Sequence, residues 1–310
     1  MSEPYPFLST TPITCPVSLL EHARTLPRPR VALVNAGAPF PLQGIREAAE
    51  AGLATPVLIG DVDRIRDTAR AIGWDIGDVP VIDAPHASAA PKAAEMARNG
   101  EVDAIMKGQI HTSVFLKGLL PTAAGLRDRG TRCGHVFHIT APGSDRPLLL
   151  TDAALNVDPD VETRKACLTH AVALAQKLGI ARPKAGILAP TEDPIPSIAN
   201  TMEAAEIAGW AKAALPQAIV QGPMALDLIF SRAAADAKNY ASEVSGDADI
   251  MLTPNITAGN ALFKLMSLGM GCCCAGVVLG AKVPIILTSR SQAAEDRMAS
   301  AALGAIGAAP

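Results

Sequence analysis

Three strand-to-helix corners hold the side chains that could do chemistry: Lys107–Ser113, Leu252–Asn260 and Leu287–Arg290. At the last, the apolar run Val283-Pro284-Ile285-Ile286-Leu287 ends in Thr288-Ser289-Arg290 and enters an alanine-rich helix through Asp296. The first N–H groups of a helix have no intrahelical partner and sit at the positive end of its dipole, which suits an anion. Arg290 adds a planar fork of donors matched to phosphate, and Ser289 a hydroxyl. Asp296 follows Ser289 by seven residues. That is two helical turns, so the two side chains lie about 20° apart around the axis, against about 120° for Glu295. A phosphate corner with a carboxylate on the same face is a reaction site; an ordinary turn with a capping Ser and a surface Arg would look the same locally. The other two corners place hydroxyl and amide side chains at the same kind of edge, where open α/β sheets bind ligands. Lys107, Lys117, Lys264 and Arg290 supply positive charge near them. An anionic, phosphorylated substrate follows; a reaction does not.

The elements that must position these corners alternate. Apolar runs at Val31–Val34, Pro56–Ile59, Val79–Ile82 and Ala104–Met106 are separated by helical segments at Leu42–Ala51, Val62–Gly73 and Ala87–Asn99. This βαβα pattern predicts a parallel sheet flanked by helices. Runs at His135–Ile139 and Pro147–Thr151, split by Ala141-Pro142-Gly143-Ser144-Asp145, predict a hairpin and a domain edge. Further on, helices are predicted over Asp160–Leu178, Ile198–Ala214, Ser231–Glu243 and Ala261–Met266. Strands are predicted at Lys184–Leu188, Ala218–Val220, Asp249–Leu252, Gly276–Leu279 and Val283–Leu287.

Composition narrows the class. The 310 residues are 49% hydrophobic, 18% charged and 3% aromatic, which describes a small-residue α/β core. A net charge of −3 with no basic stripe argues against nucleic-acid binding. No GxGxxG follows a strand, and no GxxxxGK[ST], HExxH or GxSxG is present. Cys133, His135 and His138 cluster, but a strand turns the two histidines to opposite faces, so no metal site is expected. Cys272-Cys273-Cys274 fits a buried strand of small apolar side chains, and this cysteine usage fits a reducing cytoplasm. His111, in a glycine-flanked loop, is open to either a substrate or a backbone partner. No basic and apolar leader opens the chain, and the most apolar stretch, Leu268–Ala281, is too short to span a bilayer.

Five ordered stretches carry a resemblance over nearly the whole chain from about Arg30: Met106-Lys107-Gly108 with Thr112-Ser113 and Phe115-Leu116-Lys117; Thr151-Asp152-Ala153-Ala154-Leu155-Asn156; Gln221-Gly222-Pro223-Met224-Ala225-Leu226-Asp227; Gly246 through Asn260 with Lys264; and Val283-Pro284 through Thr288-Ser289-Arg290. Together they resemble the phosphate acetyltransferase / phosphate butyryltransferase family, nearer in wording to the butyryl branch. The resemblance implies two α/β/α three-layer domains with mostly parallel sheets, of isocitrate/isopropylmalate dehydrogenase type, with the active site in an interdomain cleft. The first domain would be discontinuous, residues 1–145 plus 280–310, and the second 146–279.

It further implies reversible transfer of an acetyl, propionyl or butyryl group between coenzyme A and inorganic phosphate. Coenzyme A is a substrate, no cofactor or metal is needed, and a cytoplasmic homodimer or larger homo-oligomer is expected. By resemblance Ser289, Arg290 and Asp296 are catalytic, Asp296 taking the thiol proton. The butyryl branch carries its acid one place earlier, at Glu295. Lys107, Gly108, Thr112, Ser113, Lys117, Arg127, Asn255, Gly259, Asn260 and Lys264 would bind substrate. A metal- and nicotinamide-dependent dehydrogenase of related fold, or a non-catalytic acyl-CoA- or phosphate-binding relative, are the alternatives. Metal-binding aspartates and a nicotinamide site are not evident in the sequence.

Overall fold

A computed structural model describes residues 5–84, 86–287 and 293–310. The chain is mixed α/β, its strands mostly parallel, and divides into two compact units. In chain order its first half runs α1 (Val17–Arg24), β1 (Arg30–Val34), α2 (Pro39–Glu50), β2 (Thr55–Gly60), α3 (Val62–Ala71), β3 (Val81–Asp83), α4 (Ala89–Arg98), β4 (Ala104–Lys107), α5 (Thr112–Leu119), β5 (Gly134–Thr140) and β6 (Pro147–Thr151). It continues through α6 (Val161–Lys177), β7 (Lys184–Leu188), α7 (Ala199–Ala214), β8 (Ile219–Met224), α8 (Leu226–Phe230), α9 (Arg232–Ala237), β9 (Ile250–Leu252), α10 (Ile256–Lys264), β10 (Cys273–Leu279), β11 (Ile285–Ile286) and α11 (Ala294–Ala308).

The first unit comprises Ile13–Thr131 and Ala275–Pro310. Its strands lie in the order β3-β2-β1-β4-β11-β10, parallel except for the β10–β11 pair. β1, β2 and β4 are almost wholly buried, as their unbroken apolar runs require of a sheet covered on both faces. The chain leaves β1 toward β2 and β3, then returns to put β4 on the other side of β1. The order therefore reverses between β1 and β4, and their carboxyl ends frame a switch point. α11 packs close to β11, because a Cβ on Gly304 would collide with the Ile286 side chain. Ser300 ties α11 to β10, its hydroxyl accepting from Gly276 N–H at 3.2 Å and donating to Asp296 C=O at 2.8 Å.

The second unit comprises Met1–Pro12 and Arg132–Cys274, with strand order β5-β6-β9-β7-β8. The β5–β6 hairpin, which the sequence suggested as a domain edge, lies wholly inside it, held by five antiparallel residue pairs. Here β9 inserts between β6 and β7, giving this sheet its own reversal. Phe137 stacks on Phe263 at 3.9 Å between centroids, over a core of Ile139, Leu150, Met224, Leu228 and Met251. Cys272, Cys273 and Cys274 are buried as small apolar side chains, the last two opening β10.

His135 and His138 are both buried on β5, and burial pushes each from 6.5 down to about 4. Folded, both stay neutral where the unfolded chain would protonate them. The unfolded state binds more protons between pH 6.5 and 4, so stability is lost as the pH is lowered through that window, by up to about 1.4 kcal/mol per pH unit per histidine. The urea midpoint of the protein is expected to drop between pH 7 and 5, and His138→Leu to flatten that slope by about one histidine's share. An unchanged slope in the variant would contradict the assignment.

Candidate active site

Two carboxyl edges carry the sequence-derived residues, one in each unit. In the first unit, Lys107 ends β4 and is 6% exposed. Gly108 follows with its N–H donating to Val34 C=O at 2.9 Å. A Cβ at this position would collide with the Val34 carbonyl oxygen and lie 2.7 Å from that of Asn35. Glycine here is demanded by backbone running against backbone. Gln109 N–H donates to Asn35 C=O at 3.1 Å, and the chain then turns through His111 into α5. His111 is extended and gives no side-chain cap, so the first N–H groups of α5 keep their anion-binding capacity. Thr112 and Ser113 sit exposed at that helix start, and Lys117 lies exposed on its second turn. Arg127 is engaged otherwise: Nε donates to Leu120 C=O at 2.7 Å and Nη1 to Thr131 C=O at 2.6 Å, clamping the loop that follows α5.

The second unit's edge is organised by Asp152. One carboxylate oxygen accepts from Ala154 and Leu155 N–H, the other from Asn156 N–H and from Asn156 Nδ2 at 2.6 Å. The turn it closes is the floor on which α10 lies. Asn255 caps α10 by accepting from Ala258 N–H at 3.0 Å. A Cβ on Gly259 would come within 2.7 Å of Asp152 C=O, and Asn260 Nδ2 donates to Ala153 C=O at 3.2 Å. The identities of these three residues, expected to meet substrate, are thus already accounted for by helix capping and close packing. Lys264 ends α10 and is exposed. Helix 256–264 starts earlier than the predicted Ala261, because Asn255 is a capping residue rather than the middle of a loop.

Ser289 and Arg290 lie outside the described residues. Asp296 is 1% exposed and occupies the third position of α11, where a carboxylate oxygen accepts from Ala293 N–H at 3.2 Å. α11 begins at Ala294 and Ala293 is extended, so the stretch from 289 to 296 is not one continuous helix. The helical-angle comparison of Asp296 with Glu295 therefore falls. What distinguishes them is burial: Asp296 is enclosed and hydrogen-bonded at the helix start, while Glu295 is half-buried.

The sequence reading missed a cavity of about 510 Å³ at the switch point of the first unit, lined by Asn35, Asp61, Arg64, His86, Gln109 and His111 among others. Its signal was the Asn35-Ala36-Gly37 turn after β1. Asn35 has φ +62°, a left-handed conformation that asparagine tolerates better than most residues. Arg64 is held by Nε donating to Gly37 C=O at 2.8 Å, and Asp61 caps α3 by accepting from Arg64 N–H at 2.9 Å. Among the described residues, no cluster of three or more His, Cys, Asp or Glu side chains is arranged for a metal ion.

The fold and these edges define a mixed, mostly parallel α/β chain with charged and hydroxyl side chains at its strand-to-helix corners. Comparison with known proteins gives the class. A family model described as phosphate acetyl/butaryl transferase matches residues 85–305. The phosphate acetyltransferase of Rhizobium meliloti is 37% identical over 270 residues, covering 86% of this chain and 85% of that protein. The phosphate butyryltransferase of Clostridium acetobutylicum is 34% identical over 267 residues, covering 86% and 88%. The crystal structure of a branched-chain phosphotransacylase from Enterococcus faecalis V583 superposes with a TM-score of 0.78 at 28% identity, covering 90% of this chain and 99% of that one. The chain belongs to the phosphate acetyl/butyryl transferase family.

The packing of α10 makes a distinct prediction. Gly259→Ala forces the helix off the Asp152 turn and is expected to cost about 1–3 kcal/mol, in the range of overpacked sites. Arg127→Lys, which cannot keep both carbonyl bonds, should lower the thermal midpoint while leaving substrate KM within about twofold. A large KM change at unchanged stability would instead make Arg127 a substrate contact.

Proposed function

We propose that the chain catalyses reversible transfer of a short-chain acyl group, acetyl, propionyl or butyryl, between coenzyme A and inorganic phosphate. The observation that carries this reading is the family match over residues 85–305, which takes in the uncapped start of α5, the α10 edge and the buried Asp296. Lys107, Thr112, Ser113 and Lys117 bind the phosphate-bearing substrates together with the N–H groups of α5. Gly108 gives that loop its path. Asn255, Gly259 and Asn260 shape the α10 edge, at which Lys264 adds charge. Ser289 and Arg290 take the phosphoryl oxygens and the charge that develops on the carbonyl oxygen.

The thiol of coenzyme A reacts as the thiolate, so a base must take its proton. Asp296 is that base. Its bond from Ala293 N–H and the positive end of α11 keep the carboxylate in place near a helix start. The thiolate attacks the acyl carbon, a tetrahedral adduct forms, and the C–O bond to phosphate breaks, releasing inorganic phosphate. In reverse, phosphate attacks the thioester and the thiolate recovers its proton.

No metal or redox group enters these steps, and coenzyme A serves as a substrate. The two compact units support the finer description of two α/β/α domains of isocitrate/isopropylmalate dehydrogenase type, the first discontinuous because α11 returns to it. A homodimer is supported by apolar side chains left exposed on the second unit: Phe230, Leu265, Leu268 and Met270, each about half exposed. No described helix is long and apolar enough to cross a membrane. The six cysteines, none paired with another in a disulfide among the described residues, suit a cytoplasmic setting.

Thioester formation from coenzyme A with acetyl, propionyl and butyryl phosphate tests the reading. Turnover with at least one is expected; none with any would refute it. Asp296→Asn keeps an amide oxygen for the cap while removing the base. It should fold normally and lose about 10²–10⁴ in kcat, whereas Glu295→Gln should cost under about threefold. Full activity in Asp296→Asn would assign the base elsewhere.

A further inference from the structure

The loop that leads from β4 into α5 is held along the end of β1. Besides the Val34 carbonyl, Asn35, the first residue past β1, holds it by two bonds and reaches a third partner beyond it. Its carbonyl accepts from Gln109 N–H at 3.1 Å, and its Nδ2 donates to Gln109 C=O at 2.9 Å. The same Nδ2 lies 2.6 Å from His86 Nδ1 in the β3–α4 connection. The orientation of the amide is fixed by chemistry. The Gln109 carbonyl can only accept, so the atom facing it is the NH2 group. Its second hydrogen then points at His86 Nδ1, which must accept. The ring proton of His86 therefore sits on Nε2, leaving that N–H as a donor on the wall of the 510 Å³ cavity. Next to this grip, Gly108 lies flush against Val34 and Asn35, so the loop has no room to shift toward β1.

We propose that Asn35 is a positioning residue of the acyl-transfer reaction: through Gln109 and His86 it fixes the path of Lys107–His111, and with it the direction in which the start of α5 is presented to the phosphate-bearing substrate. Asn35 does not itself need to touch substrate. Its left-handed backbone, φ +62°, lets one residue offer both its carbonyl and its amide to the same neighbour. His86 is the partner that fixes the second amide hydrogen. The inference rests on the acyl-transfer reading for its kinetic consequence, but not for its structural one.

Two substitutions test it. Asn35→Gly keeps the left-handed backbone and removes the side-chain donors. Asn35→Asp keeps size and conformational preference but offers no N–H and turns an oxygen toward the Gln109 carbonyl. In both, amide exchange of the peptide spanning residues 107–115 should rise about tenfold, the scale of one lost net hydrogen bond, while peptides from β2 and α11 exchange as in the unaltered protein. The value of kcat/KM for thioester formation should fall by about tenfold or more. His86→Leu, which removes the acceptor, should reproduce part of the loss; His86→Gln, whose side-chain oxygen can accept, should restore most of it.

Unchanged exchange at 107–115 in both Asn35 variants would overturn the proposal. So would a rise spread over the whole first unit, which marks general destabilisation, or a local rise with unchanged kcat/KM. If the unaltered protein turns over no acyl phosphate, the acyl-transfer reading fails, and the exchange measurement alone decides whether Asn35 positions the loop.

Discussion

Close approach of backbone to backbone at the strand ends is the constraint on which the rest of the molecule depends. Each unit shows it, built the same way. In the first, Gly108 lies against the Val34 and Asn35 carbonyls, and Asn35 ties down the loop through Gln109 C=O. In the second, Gly259 lies against Asp152 and Ala153, and Asn260 ties down the turn through Ala153 C=O. A glycine permits the approach and an asparagine amide fixes it. A methyl group at either glycine would push a helix start away from its strand by a few tenths of an ångström or more. Sites that hold charged transition states lose much of their advantage when donors are displaced by that much.

Much of the fold was legible because the first half of the chain obeys period and punctuation. Val31–Val34, Pro56–Ile59 and Ala104–Met106 are uniformly apolar, as strands covered on both faces must be, and the helices between them carry clear charged faces. The misses have local causes. β8 runs on to Met224 through Gly222 and Pro223, past Val220 where the predicted strand ends. β8 is the edge strand of its sheet, and an edge tolerates a residue with no N–H to donate. The predicted helix Ser231–Glu243 is shorter: α9 covers only Arg232–Ala237, capped by the Ser231 hydroxyl, and the short α8 (Leu226–Phe230) precedes it unpredicted.

The candidate residues divide along similar lines. Lys107, Thr112, Ser113 and Lys117 stand out in sequence because they gather positive charge and hydroxyls at one strand-to-helix corner, and their part in binding belongs to the proposed function. Asn255, Gly259, Asn260 and Arg127 looked the same in sequence. Their types are those that cap helices, admit close packing and clamp loops. Only three-dimensional partners separate the two kinds: Ala258 for Asn255, Ala153 for Asn260, Leu120 and Thr131 for Arg127. Asn35 and His86 escaped notice for the opposite reason. They are far apart in sequence and meet only because β1 stands next to β4 while the β3–α4 connection folds over their ends.

The chemistry that suits such a molecule is transfer without an enzyme-bound acyl group. A covalent relay through a protein thiol would need an accessible thiolate. Cys133, Cys167, Cys272, Cys273 and Cys274 are buried, and burial pushes the Cys167 thiol up to about 12. The proposed mechanism therefore passes the acyl group directly from one substrate to the other while both are bound. Isotope exchange decides this most directly. Radiolabelled inorganic phosphate is incubated with the protein and unlabelled acyl phosphate in the absence of coenzyme A. Direct transfer predicts no label in acyl phosphate until coenzyme A is added, and rapid labelling thereafter. Labelling without coenzyme A would show an acyl-enzyme and contradict direct transfer.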